Sequence, residues 1–259
     1  MRSILRFKGL LVCLIISCAF WGAIPAQTDS KEGQQPQPRH PAKVIVLKDA
    51  AGLGDKGFND VCWQGVVKAK KDLGIDAQFI QSREQADYAS NITLAAGRAD
   101  IVVTLGFLFT ESVKQVAPYF PKTRFIHIEG DIAVENVASF DFRSEEGGFL
   151  AGLIAGLFTR KMMVGVVSGM DIPPVEAYVS GFQAGVITAR KARGQKIEAI
   201  VATAGSFNDP VKGKSLAKAM MDRGADVIFR AAGNTGIGVA GGERDRRRYH
   251  GGRRPGPGC

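Results

Sequence analysis

Residues 43–73 read KVIVLKDAAGLGDKGFNDVCWQGVVKAKKDL, and this stretch decides the fold. The run 43–47 is short and β-branched, which is typical of a strand buried in a parallel sheet. From Gly57 onward the apolar residues recur with helical spacing, until Gly74 ends the pattern. Strand, glycine-rich loop and helix in this order predict the first unit of a doubly wound α/β domain.

The alternation of strands and helices continues along the chain and restarts once. The first series is predicted to contain strands at 75–80, 100–105, 124–128 and 137–142 and helices at 84–97 and 110–117. The second series is predicted to contain strands at 163–167, 196–202 and 226–230 and helices at 174–193 and 210–223. These two series predict two Rossmann-like lobes, the first over 43–160 and a second, incomplete one over 161–239.

A helix over 144–158 joins the two series and is rich in glycine and alanine. A membrane-spanning helix needs about 20 apolar residues, and this one is too short. We therefore expect it to be a closely packed, buried helix.

The N-terminus is predicted to be an export signal. Arg2, Arg6 and Lys8 precede an uncharged apolar run over 9–17, as in a secretory signal peptide. Two cleavage sites remain open. Ile15-Ile16-Ser17-Cys18 resembles a lipobox, which would place a lipid on Cys18 and anchor the protein to the membrane. Cleavage after Ala26 would instead remove a signal peptide of residues 1–26 and release a periplasmic protein.

Residues 27–42 are polar and proline-rich, which predicts a tether between the signal and the first strand. The net charge of +9 is concentrated at the two ends of the chain, because residues 27–242 carry only two more basic than acidic residues. The charge is therefore no argument for nucleic-acid binding. The cysteines are too few for a disulfide framework and show no zinc-binding spacing, so we expect no metal and no cofactor.

The loop Gly52-Leu-Gly-Asp-Lys-Gly57 matches the dinucleotide-binding pattern G-x-G-x-x-G, which keeps a nucleotide-dependent enzyme as an alternative. Three features weigh against it. The glycines begin five residues beyond Leu47 rather than at the turn, and Asp55 would face the pyrophosphate. In addition, the next strand ends in Gln81-Ser82, without an acid for the ribose hydroxyl.

Unusual side chains follow the predicted strands at their carboxyl ends, where ligands bind in sheets of this type. Aromatic and amide residues recur in these loops, which suggests a planar, polar ligand. The loops are 49–59, 106–109, 168–171, 205–209 and 232–236.

The same loops carry a resemblance to a known family. Asp49 and Gly54-Asp-Lys-Gly-Phe-Asn59, followed by Trp63-x-Gly65, resemble the opening motif of the basic membrane protein family, the purine-nucleoside-receptor-like lipoproteins. Four further motifs follow in family order, at 144–152, 169–185, 205–210 and 231–238. The resemblance implies a type I periplasmic-binding-protein fold and an exported receptor that delivers nucleosides to an ABC permease and its ATPase.

The resemblance also implies a set of ligand-binding residues. Phe58 and Phe207 would sandwich a nucleobase, Asp49 and Asn59 would hydrogen-bond its edge, and Phe107 would wall the pocket. Further contacts would come from Glu129, Met170, Asn208 and Gly233. The residues alone leave simpler interpretations open, namely core packing for the two phenylalanines and loop capping for Asp49 and Asn59. A ligand-binding sensor and a sugar-binding protein of the same fold are the alternative functions, and no catalytic residues are predicted.

The family motifs stop after Val239. Residues 240–259 form a basic, glycine-rich tail in place of the βα pattern that relatives continue. If its arginines use the four-codon box, Gly252-Arg-Arg-Pro-Gly-Pro257 can be encoded by codons that, read one base later, allow Gly-Val-Asp-Pro-Asp-Gln, which resembles the missing family motif. We therefore expect a shifted reading frame here, with exposed strand edges as its consequence. A genuine basic tail that binds anionic lipid or nucleic acid is the alternative.

Overall fold

A computed structural model of the chain describes residues 40–242. The predicted export signal with Cys18, nearly all of the tether and the tail from residue 243 lie outside these residues. Two parallel sheets are present, as the alternating pattern predicts, and valines such as Val46, Val102 and Val166 are buried in their strands.

The first lobe has a five-stranded parallel sheet in the order β2-β1-β3-β4-β5. Its strands are β1 (Lys43–Lys48), β2 (Asp76–Gln81), β3 (Ile101–Leu105), β4 (Arg124–Ile128) and β5 (Val137–Phe140). Its helices are α1 (Phe58–Leu73), α2 (Tyr88–Ala96) and α3 (Thr110–Val116). Helices α2 and α3 pack on one face of the sheet, and α1 packs on the other.

The second lobe has a three-stranded parallel sheet in the order β7-β6-β8. Its strands are β6 (Met163–Ser168), β7 (Glu198–Thr203) and β8 (Val227–Ala231). The helices beside it are α4 (Ser144–Phe158), α5 (Pro173–Arg193) and α6 (Pro210–Asp222). A seventh helix, α7, starts at 235 and runs to 242, the last described residue.

Helix α4 packs on α5 and on the second sheet, which corrects the predicted lobe boundary. The interpretation of 43–160 as the first lobe placed this helix with the first sheet. In the structure Ala155 of α4 shares a core with Val164, Val166 and Phe182 of the second lobe. By packing, the second lobe therefore begins near Ser144 rather than at residue 161.

The expectation that α4 is buried holds for one face only. Small residues on this face let its backbone approach α5 closely, and a Cβ on Gly148 or Gly152 would overlap backbone atoms of α5. On the opposite face Leu150, Ile154 and Phe158 are exposed, the last by 75%. None of the helices within residues 40–242 has the length and apolar character needed to cross a membrane.

Candidate ligand-binding site

A cavity of about 550 Å³ lies between the two lobes, at the carboxyl ends of their strands. The first lobe contributes the loops after β1, β3 and β4 and the start of α1. The second lobe contributes the start of α5 and the loops after β7 and β8. A ligand in this cavity would contact both lobes, in the position where doubly wound sheets bind small molecules.

Seven of the nine predicted ligand-binding residues line the cavity. They are Asp49, Phe58, Asn59, Phe107, Glu129, Phe207 and Gly233. Met170 and Asn208 do not line it. The side chain of Asn208 is exposed and accepts a hydrogen bond from Asn234 Nδ2 at 2.7 Å, so it joins two loops of the second lobe.

The aromatic walls come from different lobes. The Phe58 ring, at the start of α1, lies beside the loop after β3, since a Cβ on Gly106 would be 3.8 Å from its Cε1 atom. In the second lobe the Phe207 ring rests against Gly169 and leaves no room for a Cβ there. Gly233 lies between Phe207 and the first lobe, because a Cβ on it would be 3.7 Å from that of Ala51.

Asp55 holds the loop between β1 and α1. Its Oδ1 accepts hydrogen bonds from the backbone N–H groups of Gly57 and Asp60, and its Oδ2 accepts one from that of Asn59, at 2.9, 3.2 and 3.0 Å. These amides form the N-terminus of α1, where a dinucleotide-binding loop would bind phosphate. A buried carboxylate occupies them here, so the glycine pattern of 52–57 has a structural role.

Asp49 and Asn59 form a polar pair at the cavity wall. Asn59 Nδ2 donates to Asp49 Oδ1 at 3.2 Å, and the backbone N–H of Ala51 donates to the same oxygen at 3.1 Å. Burial raises the pKa of Asp49, and the hydrogen bond from Asn59 opposes that shift. Because a carboxylate only accepts, this contact fixes the orientation of the Asn59 amide.

Glu129 follows β4 and has a positive φ of 66°, which is uncommon for a residue with a side chain. Its backbone N–H donates to the carbonyl of Phe140 on β5 at 2.8 Å. Burial, and to a smaller extent the like charge of Asp141, raises the pKa of Glu129 to about 7. A carboxyl group at the cavity wall therefore changes charge near neutral pH.

Several residues that the sequence analysis did not single out also line the cavity, among them Cys62, Phe142 and Tyr178. Burial raises the pKa of the Cys62 thiol to about 11, so the thiol is protonated at neutral pH. Cys62 and Tyr178 lie within helices, where their spacing is indistinguishable from that of core residues. The sequence gives no signal that separates them from the packing residues around them.

The geometry defines a class of protein. Two Rossmann-like lobes enclose an aromatic and polar cavity at the carboxyl ends of their strands, as in two-lobed solute-binding proteins. No cluster of three or more His, Cys, Asp or Glu side chains that could hold a metal occurs within residues 40–242.

The chain belongs to the family of PnrA-like ABC transporter substrate-binding proteins (Bmp), which it matches over residues 42–250. This match confirms the resemblance drawn from the motifs, and it confirms the predicted periplasmic-binding-protein fold. It also places the chain among solute-binding proteins rather than enzymes. The match runs past Val239 into the predicted basic tail, so the boundary of that tail stays a prediction.

Similar proteins bear related names. The CD4+ T-cell-stimulating antigen of Listeria monocytogenes is 31% identical over 90% of this chain and 66% of its own length. The ABC transporter nucleoside-binding protein BmpA of Lactococcus lactis is 30% identical over 76% of this chain and 57% of its own. A solved ABC transporter solute-binding protein of Aeropyrum pernix is 32% identical, with a TM-score of 0.78 over 81% of this chain and 60% of the other. The chain thus spans between about half and two thirds of the length of these relatives.

Proposed function

We propose that this protein captures nucleosides, in particular purine nucleosides, outside the cytoplasm and delivers them to an ABC permease and its ATPase. The observation that carries the proposal is the placement of Phe58 and Phe207 on the walls of one cavity but on different lobes. Aromatic faces from two sides suit a flat base, because stacking is available to every nucleobase. The name of the Lactococcus relative, a nucleoside-binding protein, supports the same ligand class.

The polar pair at the cavity wall supports the same ligand. Asp49 and Asn59 would hydrogen-bond the edge of a base held between the rings, and Glu129 would add a second polar contact from β4. Most of the remaining lining is apolar, and it includes Phe107, Phe142 and Tyr178. A free sugar has no aromatic face to stack and exposes hydroxyl groups on all sides, so it would leave hydroxyls without hydrogen-bond partners on such walls.

The proposed location follows from the N-terminal sequence and from the relatives. The predicted export signal over 1–26 and the lipobox-like Ile15-Ile16-Ser17-Cys18 support a location at the membrane surface or in the periplasm. A relative in Pyrococcus abyssi, 29% identical, bears the name lipoprotein. In the lipid-anchored form Cys18 would hold the receptor close to its permease.

Calorimetry tests the proposal. We expect adenosine, guanosine or inosine to bind and ribose to give no response. Phe58→Ala and Phe207→Ala are each expected to weaken nucleoside binding by about 1–3 kcal/mol, roughly tenfold to a hundredfold, because each removes one stacking face.

The matched control is Phe158→Ala, which removes an exposed ring on α4 away from the cavity and should leave affinity unchanged. Ribose binding without any nucleoside response would contradict the proposed ligand. Wild-type affinity in both cavity variants would assign the two rings to packing instead.

A further inference from the structure

His127 on β4 does not line the cavity, but its two ring nitrogens contact threonines on two neighbouring elements, β3 and α3. Its ring is fully buried. Nδ1 lies 2.8 Å from Thr104 Oγ1 at the end of β3, and Nε2 lies 3.0 Å from Thr110 Oγ1 at the start of α3. Thr110 Oγ1 in turn lies 2.6 Å from the backbone carbonyl oxygen of Phe107.

The number of protons on each group fixes which partner donates and which accepts in these hydrogen bonds. A carbonyl oxygen only accepts, so the Thr110 hydroxyl uses its single proton on Phe107. Thr110 Oγ1 must then accept from His127, which places the proton on Nε2. Burial, assisted by the charge of Lys114, lowers the pKa of His127 to about 4, so the ring is neutral and Nδ1 is free to accept from Thr104. Thr104 therefore donates to His127, His127 donates to Thr110, and Thr110 donates to the carbonyl of Phe107. We call these three hydrogen bonds the His127 relay.

The close packing around these hydrogen-bonded groups leaves their side chains little room to move. A Cβ on Gly130 would lie 2.6 Å from His127 Nε2 and 2.9 Å from Thr110 Oγ1, so the loop after β4 closes over the ring. Thr104 and Thr110, like the ring, are buried, which keeps water from replacing the bonds. The bonds end on the 3-10 turn Phe107–Phe109, and His127 itself stands two residues before Glu129.

We propose that His127 is a positioning residue for the cavity, because its relay fixes the Phe107 turn and the Glu129 loop relative to each other. A neutral histidine suits this role because it offers an acceptor and a donor on opposite sides of one rigid ring. Asparagine or glutamine can reproduce only one of the two contacts. The effect on ligand affinity rests on the proposed nucleoside binding, whereas the bonds and the local order do not.

Isosteric substitutions of the threonines test the relay without opening a cavity at the histidine. Thr110→Val removes the hydroxyl between His127 and Phe107, and Thr110→Ser retains it. Thr123→Val is the matched control, since Thr123 is a buried threonine whose Oγ1 donates to the Ala96 carbonyl at 2.9 Å and which does not line the cavity. All three variants should keep the fold, and the two valine variants should lose similar stability.

The expected results separate positioning from general stability. Thr110→Val should raise amide hydrogen exchange at residues 106–110 and weaken nucleoside binding about three- to tenfold. In Thr110→Ser and in Thr123→Val, amide exchange at residues 106–110 and nucleoside affinity should both stay close to wild type. Nitrogen-15 NMR of the wild-type protein should show His127 protonated on Nε2 and not on Nδ1.

Three results would overturn the proposal. One is a proton on His127 Nδ1, and another is equal exchange at 106–110 in Thr110→Val and Thr123→Val. The third is equal affinity in those two variants in a protein that binds nucleosides. If Thr110→Val does not fold, the wild-type tautomer and the corresponding Thr104→Val variant decide the question. If the wild-type protein binds no nucleoside, the proposed function fails, while the exchange and NMR results still decide the role of His127.

Discussion

Gly152→Ala is expected to cost about 3 kcal/mol or more of folding free energy. The added Cβ would overlap the backbone carbonyl of Phe182 on α5. Backbone atoms in a helix cannot rotate away as a side chain can, so α4 and α5 would have to separate. Glycines on both helices allow this close approach, and besides Gly152 they are Gly148, Gly181 and Gly185.

Thermal unfolding followed by circular dichroism measures this effect. For a domain of this size, about 3 kcal/mol corresponds to a decrease in Tm of roughly 6–12 °C. Gly65→Ala is the matched control, because this glycine also lies within a helix, α1, and a Cβ there would meet no other atom within 4 Å. It should stabilise the protein by about 0.5–1 kcal/mol. A Tm for Gly152→Ala equal to that of wild type would show that the two helices have room to separate without loss.

The second large effect is a pH dependence in which two buried groups oppose each other. The folded-state pKa of Glu129 is raised to about 7 from 4.5, so folding is most favourable below pH 4.5 and this contribution is lost as pH rises to 7. The pKa of His127 is lowered to about 4 from 6.5. Its contribution is therefore fully present above pH 6.5 and is lost as pH falls toward 4. Between pH 4.5 and 6.5 the two trends partly cancel in the wild-type protein.

Glu129→Gln separates the two trends, since it keeps the shape of the side chain and removes its titration. The variant should match wild type in free energy of unfolding near pH 4 and exceed it by about 1–3 kcal/mol at pH 8. Urea denaturation at a series of pH values gives the difference curve. Glu135→Gln, at an exposed glutamate outside the cavity, is the control. A Glu129→Gln curve indistinguishable from the control curve would contradict the buried, titrating carboxyl.

The order of strands and helices could be predicted because each element carries its own local signal. Short β-branched runs such as 43–47 mark buried strands, and glycines such as Gly74 mark helix ends. Seven of the nine predicted ligand-binding residues line the cavity, because the loops at the strand ends that carry them meet at one edge of each sheet. Met170 and Asn208 lie in loops of the same kind but do not line the cavity, because neither a loop position nor a family motif fixes the direction of a side chain.

The parts that sequence could not predict depend on contacts between distant segments. Helix α4 follows the last strand of the first sheet, and its apolar pattern suits either lobe. Its partner is settled only by glycines on α5, some 33 residues further along, as in the Gly152 and Gly185 pair. The role of His127 was missed for a related reason. A lone histidine on a strand gives no sign that threonines 23 positions before and 17 positions before it will stand on either side of its ring.

The carboxylate that closes the N-terminus of α1 also bears on how the cavity would receive a charged ligand. Asp55 occupies the amides that would otherwise attract an anion. The same cavity is lined by the acidic residues Asp49 and Glu129 and by the basic residues Lys56 and Arg230. A phosphate ester would gain no hydrogen bonds from the N-terminus of α1, where the carboxylate of Asp55 would repel it. In the proposed nucleoside receptor this end of the cavity would disfavour the phosphate group of a nucleotide, so charge would add to shape in selecting the ligand.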